Sequence, residues 1–174
     1  MTQPITCIRE QISRTDAARI VANASSHPTR VEQTLYYPYW WYRFGYSLTT
    51  LFGCPLFEID CLVDGRKGIT STADAFETLE VRPFTEDVLE ICVDSDSGMF
   101  NARHTVRHVL TKKYRTIMPF ELEMKQNQIL YKKFWIAKCG VRGAKVLIDS
   151  TTGKFITLTS ENDREAAYLI ATRE

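Results

Sequence analysis

The sequence predicts an α+β protein with antiparallel sheet and helices packed on one face, organised as two pseudo-repeated helix–strand–hairpin units. Three observations predict it. Two blocks of sequence recur along the chain. Each copy begins with apolar residues at helical spacing, and aromatic and β-branched runs typical of strands follow. The 174 residues are 44% hydrophobic and 25% charged, which is typical of a folded globular chain long enough to bury a core.

The repeat consists of two pairs of matching segments. Residues 35–41 match residues 130–136, which lie 95 positions later, and residues 63–69 match residues 148–154, which lie 85 positions later. The first copy therefore carries about ten more residues between its strands, and we place them in residues 48–56.

Three segments follow from this repeat. We expect a first α/β unit, an acidic connector packed on the core, and a second α/β unit with a C-terminal helix. Their ranges are 1–70, 71–98 and 99–174.

Helices are predicted where small or apolar residues recur every three to four positions. A side-chain oxygen before such a run can accept a hydrogen bond from a free N–H of the first turn. The first helix has Ser13 or Thr15 as its cap, and the main helix of the second copy has Asp96 or Ser97. This main helix is predicted at Phe100–Tyr114, and the other predicted helical segments are Thr85–Cys92 and Glu161–Ala171.

Strands are predicted in the aromatic and β-branched runs between these helices. The predicted strands are Val31–Phe44, Phe57–Val63, Glu121–Met124, Gln128–Lys138, Ala144–Ile148 and Phe155–Thr159.

An Asp-xxx-Gly turn occurs in each copy, at residues 64–68 and 149–153. The leading Asp can accept hydrogen bonds from backbone N–H groups ahead of it, and the closing Gly can adopt a positive φ. We therefore interpret both turns as structural.

The order of helix, aromatic strand, strand and Asp-xxx-Gly turn resembles the small PepSY-type α/β module. The similarity lies in residues 13–18, which open the first helix, and in residues 147–154, which resemble the Asp-x-x-Thr-Gly ending of those modules. The first copy departs from this ending because no Thr lies between Asp64 and Gly68. The resemblance implies a tandem pair of noncatalytic binding or regulatory modules.

The leading functional hypothesis is therefore a noncatalytic module that acts through protein–protein contacts. The predicted surface combines an aromatic strand, whose alternating side chains cannot all face the core, with an apolar loop. Its residues are Tyr37, Tyr39, Trp40, Trp41, Leu51 and Phe52. The partner could be a second copy of this chain.

Charge is distributed unevenly, although the net charge is only +1. Residues 55–100 hold three basic and eleven acidic residues, and residues 101–154 hold twelve basic and three acidic residues. Either the acidic connector covers the basic copy, or this copy binds nucleic acid or an anionic membrane. The candidate anion-binding residues are Arg103, Arg107, Lys112, Lys113, Lys132 and Lys133.

A metal protein or enzyme is a third hypothesis, because His104 and His108 lie four residues apart on one face of a predicted helix. Glu is absent from the position after His104, so the zinc-protease pattern is not met. The sequence contains no recognised catalytic motif, and we expect neither an enzyme nor a cofactor.

The first twenty residues show no secretory signal, and no apolar stretch is long enough to span a membrane. The five cysteines are scattered and form no metal-type motif. We therefore expect a cytoplasmic protein with reduced thiols.

Overall fold

The computed structural model describes residues 4–48, 53–73, 79–83, 88–115, 120–140 and 143–158. In these residues the protein is mixed α/β, with two helices and eight strands in one hydrogen-bonded sheet. The helices are α1 (Arg14–Ser25) and α2 (Ser95–Tyr114). The strands are β1 (Pro4–Ile8), β2 (Thr29–Ser47), β3 (Leu56–Asp64), β4 (Thr70–Ala73), β5 (Leu79–Pro83), β6 (Glu123–Cys139), β7 (Ala144–Asp149) and β8 (Phe155–Thr157).

The chain divides into two compact units, and each takes segments from both halves of the sequence. Unit 1 comprises Met1–Tyr37, Thr78–Leu89 and Tyr131–Glu174, and unit 2 comprises Pro38–Glu77 and Glu90–Leu130. Helix α1 therefore belongs with β7 and β8, and helix α2 with β3 and β4. The boundaries predicted near residues 70 and 98 separate consecutive segments of the sequence, whereas the two units are groups of segments in space. The predicted boundaries therefore stay a prediction.

The sheet is mixed, which corrects the expectation of a purely antiparallel one. Strands β2–β3–β4 and β6–β7–β8 pair antiparallel, as do β1 and β5. Strand β1 runs parallel to β6, with Cys7 opposite Tyr131, and Tyr36 forms a parallel bridge with Val88. The placement of both helices on one face of the sheet stays a prediction.

Helix α1 begins at the predicted cap. The Ser13 hydroxyl accepts a hydrogen bond from the backbone N–H of Asp16 at 3.2 Å. The helix buries Ala17 and Val21 in the core of unit 1, where the core cluster includes Trp135 and Ile148. The helix ends at Ser25, and Ser26 adopts a left-handed conformation before Pro28.

Helix α2 begins five residues earlier than predicted. Asp94 is the N-cap, because its carboxylate accepts hydrogen bonds from the backbone N–H of Ser97 at 2.9 Å and from its hydroxyl at 2.8 Å. Asp96 and Ser97 lie inside the first turn, so the predicted caps were wrong.

The predicted helix Thr85–Cys92 was also wrong over its described part. Residues 88–92 contain no helix; Val88 bridges Tyr36, and the backbone N–H of Leu89 donates to the carbonyl of Tyr36. The predicted helix Glu161–Ala171 lies outside the described residues.

The strands differ from prediction mainly where polar residues interrupt the pattern. Residues 123–139 form one strand instead of the two predicted, because the strand continues through a polar stretch at 125–128. Strands β1, β4 and β5 were not predicted, since each has only four or five residues.

The Asp149 turn of unit 1 is held by a dense set of hydrogen bonds. The buried carboxylate accepts from the backbone N–H of Thr151 at 2.8 Å and from the hydroxyls of Thr151 and Thr152 at 2.6 and 2.8 Å. Lys132 forms an ion pair with it at 2.8 Å. The Gly153 N–H donates to the Asp149 carbonyl, and Gly153 has φ +72°.

The Asp64 turn of unit 2 has the same backbone pattern. The Asp64 carboxylate accepts from the backbone N–H of Arg66 at 2.8 Å and of Lys67 at 2.9 Å. Gly68 donates to the Asp64 carbonyl with φ +73°. Both turns are therefore built as structural elements, in agreement with the interpretation from sequence.

The segment that enters each helix is bound in the same way in each unit. In unit 1, the N–H groups of Gln11 and Ile12 donate to the carbonyl of Ser150, and the Trp135 indole donates to the carbonyl of Ile12 at 3.1 Å. In unit 2, the N–H groups of Cys92 and Val93 donate to the carbonyl of Gly65. The Trp40 indole donates to the carbonyl of Val93 at 2.8 Å.

We expect the buried Asp149 carboxylate to make folding sensitive to acid. Burial acts to raise its pKa, but the charge of Lys132 and the hydrogen bonds from Lys132 and Thr151 outweigh burial, so the pKa is lowered from about 3.8. Its stabilising contribution is therefore present above about pH 4 and is lost as the pH falls through the lowered value. Asp149→Asn should lower the free energy of unfolding by about 3 kcal/mol at neutral pH.

This difference between wild type and Asp149→Asn should shrink as the pH falls below about 4. Urea unfolding followed by circular dichroism over a pH series measures it. The exposed Glu123, replaced by Gln, serves as the control and should change stability little. A difference that stays constant across the acidic range would contradict the assignment.

Candidate functional site

Helix α2 lies in unit 2 with one face in the core. Its buried residues Ala102, Val106 and Leu110 belong to a cluster with Tyr42 and Phe44 of β2. These three helical positions are four residues apart, so they form one stripe along the helix. The opposite face of the 20-residue helix, about 30 Å long, is therefore directed away from this core.

The start of α2 packs closely against β2. Tyr42 donates its hydroxyl to the carbonyl of Ser95 at 2.8 Å, and its ring stacks between those of Trp40 and Phe44. Gly98 makes this approach possible, since a Cβ there would lie 2.7 Å from the Tyr42 hydroxyl oxygen and 3.3 Å from Trp40. The hydrogen bonds and this close contact together fix the position of α2 in unit 2.

The outer face of α2 carries basic residues at helical spacing, and we call it the α2 basic face. Its exposed members are His104, Arg107, His108, Lys112 and Arg115. At its N-terminal end Phe100 is 72% exposed. Arg103 lies at the flank of the helix, where its guanidinium sits 5.8 Å from the centroid of the Phe44 ring.

No acidic side chain neutralises this face within the described residues. None of Arg103, Arg107, Lys112, Lys113 and Arg115 forms an ion pair there. Of the acidic residues of the connector that the structure describes, Glu80 pairs with Arg82, Asp94 caps α2 and Asp96 lies in its first turn. Glu90 is exposed and forms no ion pair among the described residues. The described part of the connector thus gives no support to internal neutralisation.

Lys132 and Lys133, two of the predicted anion-binding residues, are already paired in unit 1. Lys132 binds the buried Asp149 carboxylate. Lys133 is 5% exposed, forms an ion pair with Glu10, and places its ammonium 3.8 Å from the centroid of the Trp135 ring. Their position on a strand beside aromatic residues gives both lysines an internal carboxylate partner, and their assignment to an anion-binding surface stays a prediction.

The predicted aromatic surface is largely inaccessible. Tyr37, Tyr39 and Trp41 are buried, and Trp40 is half-buried with its indole bonded to Val93. Leu51 and Phe52, the loop residues of the same prediction, lie outside the described residues. The four described aromatic residues of the predicted surface are therefore buried or half-buried, and their role in partner binding stays a prediction.

His104 and His108 are both exposed on α2, as their spacing predicted. Within the described residues, no group of three or more His, Cys, Asp or Glu side chains is arranged to hold a metal ion. The described part of the chain therefore adds no third ligand to the histidine pair.

Two of the three buried thiols, those of Cys7 and Cys61, are poor nucleophiles. Burial raises the pKa of Cys7 to about 11, and burial together with the nearby Asp60 carboxylate raises the pKa of Cys61 to about 12. Both thiols stay protonated near neutral pH, and only a thiolate reacts readily.

Unit 2 contains a cavity of about 480 Å³ between α2 and strands β2, β3 and β4. Arg43, Glu58 and Asp60 contribute polar groups to it, and Val109 and Lys113 line it from the helix. Sequence reasoning missed this cavity, because its residues come from β2, β3, β4 and α2 and share no local pattern.

The chain was compared with protein-family models, curated proteins and solved structures. No protein-family model matches the chain, and neither curated proteins nor solved structures gave a match. Among the helices in the described residues, none is long and apolar enough to cross a membrane.

We expect Gly98→Ala to destabilise the protein, although the same change normally stabilises a helix. Alanine is favoured over glycine in a helix by about 1 kcal/mol, but a methyl group 2.7 Å from the Tyr42 hydroxyl oxygen forces α2 away from β2. Such overpacking costs about 1–3 kcal/mol. Urea unfolding should therefore show a lower midpoint than wild type.

Thr111→Ala, on the outer side of the same helix, is the control for helix propensity. It should leave the midpoint unchanged or raise it slightly. A Gly98→Ala protein more stable than wild type would contradict the close packing of α2 on β2.

Proposed function

We propose that this protein is a noncatalytic binding module that holds nucleic acid through the α2 basic face. One observation carries the proposal: exposed basic residues recur along one side of a helix that is anchored by its other side, and no described acidic residue pairs with them. A regular row of cations on a rigid support suits a partner with regularly spaced negative charges. The phosphate backbone of nucleic acid is such a partner.

Nucleic acid is favoured over an anionic membrane by the polarity of the exposed face. An interfacial helix needs a broad apolar face to enter the lipid layer. The apolar residues Ala102, Val106 and Leu110 of α2 are buried in the core of unit 2. Phe100 is the one large apolar residue of α2 that is exposed among the described positions. The basic face can therefore contact phosphates without inserting into lipid.

We further propose that the two units are pseudo-repeats in which the helix of one copy packs on the hairpin of the other. The support is the matching set of hydrogen bonds around the two Asp turns and the two indoles. Trp40 and Trp135 lie 95 positions apart, and Asp64 and Asp149 lie 85 apart, which are the two offsets of the sequence repeat. Only the helix of the second copy carries the basic face.

The binding test is a titration of a fluorescein-labelled duplex of about 20 base pairs with the full chain, followed by anisotropy between about 50 and 200 mM KCl. The wild-type protein should bind, and the affinity should fall steeply with salt. Replacing Arg107, Lys112 and Arg115 together by Gln removes three phosphate contacts. The slope of log K against log salt should then fall by about 2.7, at about 0.9 per contact.

The matched control replaces three exposed cations of unit 1, Arg9, Arg30 and Lys138, by Gln, which changes the net charge equally. Its slope should equal that of wild type. Equal effects of the two triple variants, or no binding at low salt, would contradict the proposal. Stronger retention on phosphatidylserine vesicles than on the duplex, lost in the α2 variant, would assign the face to a membrane instead.

A further inference from the structure

The cavity beside α2 has polar and apolar walls that fit a small molecule. Its volume of about 480 Å³ falls in the range of small-molecule sites, about 300–1,000 Å³. Its lining residues all belong to unit 2: Arg43 and Tyr46 of β2, Glu58, Ile59 and Asp60 of β3, Thr72 and Ala73 of β4, and Val109 and Lys113 of α2.

One ion pair in the cavity is internally satisfied. Arg43 donates to the buried Asp60 carboxylate from Nε at 2.7 Å and from Nη2 at 2.9 Å. The guanidinium also lies 5.1 Å from the centroid of the Trp41 ring. A two-point contact of this kind is strong and has a fixed geometry, so this pair forms part of the wall.

Two opposite charges in the lining remain available. Glu58 forms a long ion pair with Arg43, at 3.7 Å from Nη1 and without a hydrogen bond at that distance, and its side chain is 57% exposed. Lys113 has no carboxylate partner among the described residues, and its ammonium lies 5.4 Å from the centroid of the Tyr114 ring. The cavity therefore presents one exposed carboxylate, held only by a long ion pair, and one ammonium without a carboxylate partner among the described residues.

The remaining walls are apolar or neutral. Ile59, Ala73 and Val109 supply aliphatic surface. The Tyr46 hydroxyl is bonded to the Tyr114 hydroxyl at 3.2 Å, and burial together with this bond raises the pKa of Tyr46 to about 12. Tyr46 therefore adds a neutral aromatic surface to the aliphatic one.

We propose that this cavity binds a small zwitterion with an apolar body, namely an α-amino acid with an aliphatic or aromatic side chain. Its carboxylate would bind Lys113, its ammonium would bind Glu58, and its side chain would lie against Ile59, Ala73 and Val109. The ligand needs both charges. A ligand carboxylate alone would lie near the like charge of Glu58, and a ligand ammonium alone would lie near the like charge of Lys113. Lys113 lies outside the α2 basic face, so this site is independent of nucleic-acid binding.

The test measures binding of L-leucine and L-phenylalanine to the full chain by isothermal titration. Two analogues of leucine separate the charges: leucinamide lacks the carboxylate, and 4-methylpentanoate lacks the ammonium. At least one amino acid should bind saturably with a stoichiometry near one. Its two analogues should bind at least about tenfold more weakly, which is the effect of one lost charge-assisted contact.

Single substitutions assign each charge. Lys113→Met should weaken binding of the amino acid about tenfold and remove the preference over the amide. Glu58→Gln should likewise weaken binding of the amino acid about tenfold and remove the preference over 4-methylpentanoate. Lys112→Met and Glu123→Gln, which change the same charges outside the cavity, should leave both preferences unchanged.

Ala73→Phe should abolish binding of all the probes by filling the cavity, with folding checked by circular dichroism. No saturable binding of either amino acid would overturn the proposal. Equal losses for leucine and leucinamide in Lys113→Met would also overturn it, and this result does not depend on whether Ala73→Phe folds.

Discussion

The hydrogen bond from the Trp40 indole to the carbonyl oxygen of Val93 determines where helix α2 can start. An indole N–H that is shielded from water and has no partner costs about 1–3 kcal/mol, so packing that half-buries Trp40 favours an acceptor beside its indole. Val93 is that acceptor, at 2.8 Å, and Asp94 begins the helix immediately afterwards. With the start fixed, the four-residue spacing of Ala102, Val106 and Leu110 directs one face of α2 into the core. The outward direction of the basic residues is a consequence of that anchoring.

Whether a cation is neutralised or available for binding depends on its place in the fold more than on the net charge of the chain. A net charge of +1 describes the chain as a whole, yet individual cations have very different surroundings. Lys132 and Lys133 sit on a strand, where acidic groups of unit 1 neutralise them. Arg107, Lys112 and Arg115 sit on the exposed side of a helix, where the described residues supply no carboxylate. The same residue type therefore stabilises the fold in one place and is available for binding in the other.

The sequence predicts several parts of the fold that depend on local interactions, although it missed Asp94 as the N-cap of α2. The Ser13 cap, the two Asp turns and the basic helix all rely on residues a few positions apart, and the structure contains each of them. Features set by distant residues were missed or wrong. The short strand β1 exists because β5 and β6 flank it, and the cavity exists because three strands and α2 meet there. Alternation in the aromatic strand could not reveal that Tyr37, Tyr39 and Trp41 are all buried.

The most direct test of the central claim is residue-specific mapping of the nucleic-acid contact. Backbone amide and arginine side-chain NMR signals of the full chain would be followed as an unlabelled DNA duplex is added at low salt. The anchored-helix account predicts that shift changes concentrate in residues 100–115, above all at Arg107 and Arg115, while the exposed cations Arg9 and Arg30 remain unaffected. Changes spread evenly over all exposed cations, or centred outside α2, would contradict it.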